Sequence, residues 1–232
     1  MAKAPRPWIV TPHSPLVKHE ENLWAVESPV PGIPAMRRMT IARRKDGSLV
    51  FFHAVPLDEP SLAEVLAFGK PAALVISHAQ HGIDADAFAE KLGIGIYGPK
   101  ASEARMRKRF RNFRGLIDEL AGDSSVSFES MDGTKSGEPV QIVRSNGRVT
   151  LAFTDVYQEH VSPGFFMKIA GFGGGPKVTP VFKMLFVKDK LSLRAHLERL
   201  ASTPGLACIS PCHGPIVSQD PAGTIRRVAA SL

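Results

Sequence analysis

The chain has 232 residues, two of them cysteine, with 29 Lys and Arg against 22 Asp and Glu, a formal charge of +7. At 44% hydrophobic and 22% charged it has enough apolar material to offset chain entropy, which excludes disorder, and two cysteines exclude a disulfide scaffold. No apolar run approaches the roughly 18–20 residues of a membrane span, and Pro5, Pro7 and Pro12 interrupt any secretion-signal core, so a cytoplasmic protein with reduced thiols is expected.

In chain order, residues 1–20 are proline-spotted and read as an irregular segment, with a single domain over 21–232. Asn22–Glu27 reads as a strand. Pro29, Pro31 and Pro34 then impose a loop, because each fixes φ and lacks an amide donor. Met36–Arg43 and Leu49–Phe52 are strands joined at Asp46-Gly47, a hairpin signal. Pro60–Phe68 (helix), Ala72–Ile76 (strand), Asp84–Leu92 (helix, closed by Gly93) and Ile94–Tyr97 (strand) alternate. Ser102–Leu120 is expected to be helical, with a break at Gly115, because Met106, Phe110, Phe113, Ile117 and Leu120 recur at four-three spacing. Ser125–Ser130, Val140–Arg144 and Val149–Thr154 read as strands, the last two joined at Asn146-Gly147. A glycine-rich loop over Gly171–Pro180, a helix at Leu191–Ala201, a strand at Leu206–Ile209 and a helix at Ala222–Ala230 complete the chain. Two αβ halves, each opening with antiparallel strands, predict an α/β protein of two mixed sheets covered by helices.

Candidate chemistry gathers where strands stop. His53 follows Leu49–Phe52, His78 and His81 follow Leu74–Ser77, Asp155 follows Leu151–Thr154, and Cys212-His213 follows Leu206–Pro211. Strand carboxyl ends linked by crossover helices share one edge, where sites form. Imidazoles with a carboxylate suit Zn, Mn, Fe or similar ions. His53 reads equally as a packed strand-end residue, and Asp84 as the N-cap of the following helix. His13, His19 and His160 carry no spacing signal, and His196 reads as a surface residue of its helix. Cys208 and Cys212 are separated by three residues, not the two of a zinc knuckle, and read as reduced and structural, with Cys212 near the site.

Strand, Ser77-His78-Ala79-Gln80-His81, helix resembles the histidine signature of the metallo-β-lactamase superfamily, THxHxDH at a strand end. The TLAFTD run ending in Asp155 resembles that superfamily's strand with a bridging aspartate, and PCHGPIV with His213-Gly214 its final His-Gly turn. The resemblance spans roughly residues 20–228. A divergent branch is closer still, through MKIAGFGGGPKVTPVFKMLFVKD, read as a glycine-rich stretch before a strand with an acidic turn, then LSLRAHLERL and SPCHG. The resemblance implies an αβ/βα sandwich and a metal-dependent hydrolase. The motif is depleted, however. With His78 on the first signature histidine, Gln80 falls on the second, Gly82 on the aspartate that binds metal and handles the water proton, and Ile83 on the last histidine. No histidine occurs from 82 to 159 to supply the usual middle ligand.

What survives is His78, His81, Asp155 and His213, a set that implies at most one divalent ion (Zn, Mn or Fe), or none. His53, Asp84, Gly173 and Gly174 are candidates to support the site or touch substrate. The expected activity is hydrolysis of a small ester, lactone or thioester. The alternative is a non-catalytic member that binds a ligand or partner. A third reading uses the basic stretch 105–114, where Arg107, Arg111 and Arg114 would share a helix face able to contact phosphates of a nucleic acid. Arg37, Arg38, Arg43, Arg44 and Lys45 form a second basic cluster around a hairpin. The sequence assigns no oligomeric state.

Overall fold

The computed structural model describes residues 7–159, 171 and 173–232. Pro5, His160, the residues 167–170 that lead into the glycine-rich run, and Phe172 within it lie outside them. Strands β1 (Val17–Glu20), β2 (Leu23–Pro29), β3 (Met36–Arg43), β4 (Ser48–Phe52), β5 (Lys70–Val75), β6 (Gly95–Gly98) and β7 (Phe113–Leu116) form one seven-stranded sheet in chain order. It is antiparallel through β4 and parallel from β4 onward. Strands β8 (Val126–Ser130), β9 (Pro139–Ser145), β10 (Arg148–Gln158) and β11 (Leu206–His213) form a second sheet in the order β11-β10-β9-β8, antiparallel except where β11 runs parallel to β10. Helices α1 (Glu59–Phe68), α2 (Ala85–Leu92) and α3 (Glu103–Arg109) belong to the first half, and α4 (Pro180–Phe186), α5 (Lys190–Ala201) and α6 (Pro221–Ala230) to the second.

Burial patterns make this a four-layer αβ/βα sandwich. In β4, Leu49 and Phe51 pack outward with Phe88 of α2 and Val65 of α1, whereas Val50 and Phe52 pack inward against Val126, Val143 and Ala152 of the other sheet. Both faces are therefore dry, and the strand reads as an unbroken apolar run. The second sheet covers its outer face with Leu193, Leu197 and Leu200 of α5 and Ile225 and Val228 of α6. Punctuation follows the sequence. Asp58 caps α1 by accepting from Ser61 N–H at 2.9 Å, and Gly93 ends α2 at φ +64°. Asn146 and Gly147, at φ +49° and +77°, make the β9–β10 turn.

Four expectations are corrected. Val17–Glu20 is not irregular but pairs with β2 as an edge strand. The 102–120 segment is not one helix, because α3 stops at Arg109 where Phe110 turns extended (φ −111°, ψ 130°). Its apolar repeat serves two cores: Met106 and Phe110 pack on the outer side of the first sheet, Ile117 and Leu120 between the sheets. Strand pairing of Phe113–Leu116 with β6 outcompetes the helical period. Arg107, Arg111 and Arg114 thus share no helix face. Arg107 is helical and pairs with Glu103 at 2.8 Å, Arg111 sits in the turn, and Arg114 lies on β7. Thirdly, Pro180–Phe186 is a helix capped by Thr179 rather than a strand. Finally, His196 is buried, because α5 turns Leu193, His196, Leu197 and Leu200 inward, and it bridges Glu129 (2.9 Å) and Asp132 (3.1 Å).

Candidate metal centre

Both sheets send strand ends to one edge. From the first come His53 after β4 and His78 and His81 after β5; from the second come Asp155 of β10 and Cys212 and His213 at the end of β11. The carboxylate of Asp155 is the meeting point. His78 Nε2 lies 3.2 Å and His81 Nε2 2.9 Å from its Oδ2, and His213 Nε2 lies 3.6 Å from its Oδ1. One donor atom each from His78, His81 and Asp155 falls within a 4.8 Å cluster. The four candidate ligands named from sequence are therefore neighbours.

The rings are held from behind. His78 Nδ1 pairs with Gln80 Oε1 at 2.9 Å, and His213 Nδ1 with the Met36 carbonyl at 2.7 Å. With Nδ1 engaged by these acceptors, the Nε2 atom of each ring is the one that faces Asp155. Gln80 thus serves to fix His78. Phe186 of α4 stacks on His78 at 5.5 Å between centroids. Arg38, buried, spans the two sheets by donating to the carbonyls of Pro211 and Gly214 and to Glu27, which fixes the His213 turn.

Asp155 reaches the edge because β10 leaves its ladders there. Pairing with β9 ends at Ala152–Gln141, and pairing with β11 jumps from Phe153–Pro211 to Gln158–His213. The ladder with β9 goes no further because β9 begins at Pro139, which has no N–H to offer. The free N–H groups of Asp155 and Val156 donate instead to Glu138 Oε1, at 2.7 and 2.8 Å. Gln158 Nε2 donates to Asp155 Oδ1 at 2.8 Å. Neither Glu138 nor Gln158 was legible in the sequence, since nothing local marks a carboxylate that caps a strand break.

Electrostatics bind the group together. Burial opposes charge on Asp155, but His81 and hydrogen bonds from His78 and His81 hold its carboxyl well below the usual range. Burial likewise opposes protonation of His81, yet Asp155 outweighs it and holds the ring well above 6.5. Burial and then the Asp155 charge push Glu138 up to about 8. Burial would raise the Cys212 thiol, but His213 and His53 bring it well below its ordinary value. His213 in turn is raised to about 9, with Cys212 outweighing burial. His53, fully buried, is lowered to about 3 by desolvation.

The cluster floors a cleft of about 320 Å³, within the range of small-ligand pockets. Val30, Ile33 and Ala35 from the proline loop form one wall, with Ile83 and Phe186 opposite. Arg37 also lines it. Asp84 does not cap α2 with its side chain; it is buried in an ion pair with Arg37 at 2.6 Å. Two members of the second basic cluster, Arg37 and Arg38, are accordingly buried in ion pairs, while Arg43 and Lys45 stay exposed. Gly173 and Gly174 are not among the residues lining the cleft. His53 lies behind it, its ring 5.3 Å from that of His81. Gly82 has no room for a side chain: a Cβ there would lie 2.1 Å from Phe110 Cζ. The space that a side chain at 82 would take is filled by the Phe110 ring.

No protein-family model matches the chain, and neither does any curated protein sequence. Solved structures do. The chain is similar to the DIM-1 metallo-β-lactamase exposed to ceftazidime, with 14% identity, TM-score 0.66, and 96% of this chain and 99% of that one covered. It is similar to a metallo-β-lactamase from Erythrobacter litoralis (12% identity, TM-score 0.64, coverage 94% and 96%). A B3 metallo-β-lactamase with an active-site glutamic acid also matches (12% identity, TM-score 0.59, coverage 96% and 88%). The chain has the metallo-β-lactamase fold, and no helix among its described residues is long and apolar enough to cross a membrane.

Proposed function

We propose that this chain, with that fold as premise, is a metal-dependent hydrolase of a small ester, lactone or thioester, with one divalent ion held by His78, His81, Asp155 and His213. The observation that carries the reading is the convergence of three imidazole Nε2 atoms on one carboxylate at the floor of an apolar-walled cleft. The donor chemistry fits: imidazoles with a carboxylate suit zinc, and the backing contacts from Gln80 and Met36 are the outer partners that metal-ligating histidines need. A divalent ion there would supply Lewis-acid chemistry for attack of water on an acyl carbonyl, giving an acid and an alcohol or thiol.

The chain's own residues do the positioning. Gln158 holds the Asp155 carboxylate toward the histidines. Val30, Ile33 and Phe186 give the acyl portion an apolar wall and exclude water. Purified without a histidine tag, the protein is expected to carry zinc, manganese or iron by elemental analysis and to hydrolyse nitrophenyl esters. His78→Ala should abolish both with the fold intact. Absence of metal, with no rise in melting temperature on adding these ions, overturns the reading.

One observation favours a second reading, a non-catalytic ligand-binding protein. Phe110 fills the space beside Gly82, the position that the motif resemblance assigns to the proton-handling acid. Metal binding without turnover on any of the three substrate classes would select it.

A further inference from the structure

Beneath the cleft lies a second group of donors. One ring nitrogen each of His53 and His81 and the Cys212 sulfur all lie within 4.8 Å of one another. His53 and Cys212 are each 4% exposed, and neither lines the cleft. His53 is unusual twice over. It is one of three non-glycine residues at positive φ among those described, at +66°, a conformation that persists only when its surroundings impose it. Its Nε2 is 3.0 Å from Thr154 Oγ1, while its Nδ1 is buried without a hydrogen-bond partner. A buried ring nitrogen in that state is costly. With Nε2 as the donor to Thr154, Nδ1 carries an unused lone pair.

We propose that His53, His81 and Cys212 form a second, buried seat for a thiophilic divalent ion such as zinc. Three protein donors including a thiolate are a sufficient zinc set, and sulfur disfavours manganese and magnesium. Binding forms a metal–sulfur bond to the Cys212 thiolate, and the thiol proton is released to solvent. Because His81 belongs to both groups and a neutral imidazole donates through one nitrogen, the two seats are alternatives for one ion. The inference shares His81 with the proposed hydrolytic centre but does not depend on hydrolysis.

Cobalt titration tests it, since a Co(II)–thiolate bond gives an intense near-ultraviolet charge-transfer band that imidazole and carboxylate ligands do not. The intact chain should show that band at one cobalt per chain. Cys212→Ser should lose it, with folding checked by thermal melting, while Cys208→Ser and Asp155→Asn should retain it. Cys208 is the control because it is free and engages Thr150 instead. If Cys212→Ser does not fold, X-ray absorption of the zinc-loaded intact chain decides, with sulfur expected at about 2.3 Å. No band from bound cobalt, a band that survives Cys212→Ser, or no sulfur around zinc overturns the proposal. Bound cobalt without the band would leave the hydrolytic reading standing; the band without ester turnover would do the reverse.

Discussion

Gln80 shows how a side chain outside the donor set can hold one within it. Its amide backs the His78 ring through the 2.9 Å contact with Nδ1. Outer partners of this kind are worth about 10–100-fold in metal affinity. Gln80→Ala is therefore expected to weaken zinc binding by about that factor in a chelator competition, with little change in the melting temperature of the metal-free chain. The Arg37–Asp84 pair behaves differently, because its side chains are only 8% and 5% exposed. Breaking a buried pair strands the survivor, at about 3–5 kcal/mol. Arg37→Ala should lose about that much in urea unfolding, and Arg37→Met with Asp84→Leu should recover most of it. At this scale the sequence was readable where function follows a strand end, as at His78, His81, Asp155 and His213. It was silent on Arg37 and Glu138, whose roles depend on partners 47 and 17 residues away.

Among the elements, β10 matters most to the site. A regular strand would have tied the Asp155 backbone into ladders on both sides, whereas the break frees two N–H groups that Glu138 takes up. Glu138→Ala leaves those donors without a partner in a dry setting, each worth about 1–3 kcal/mol. It should destabilise the chain clearly more than Glu138→Gln, which keeps an acceptor oxygen, in equilibrium denaturation of the two variants. The helices α1, α2, α5 and α6 were legible from caps and periodicity. The 102–120 segment was not, because a four-three repeat does not say that its halves face different cores. The short α4 was missed because its apolar run, Val181–Phe186, reads as well as a strand.

For the whole molecule, the site exists only when the two sheets are docked. Each supplies part of the donor set, and Arg38 ties them by bonds from β3 to the carbonyls of Pro211 and Gly214. An ion bridging both halves should therefore stabilise the whole chain. At 100 times Kd the gain is about 2.7 kcal/mol, which for a chain of this size corresponds to a rise of about 5–11 °C in melting temperature. Differential scanning calorimetry with and without zinc measures it, and His78→Ala should remove the rise. Of the basic residues behind the +7 charge, Arg37 and Arg38 are inside, while the 105–114 cations stay exposed, divided among helix, turn and strand.

The ring of Phe110 against Gly82 also constrains the routes by which this chain can change. A lone Gly82→Asp forces a side chain into occupied space, so the order of substitutions matters. Truncating Phe110 first costs packing but opens the position; only then does an aspartate at 82 fit beside His78 and His81. The pair works as a latch: placing an acid at that position takes two changes, the first unrewarded.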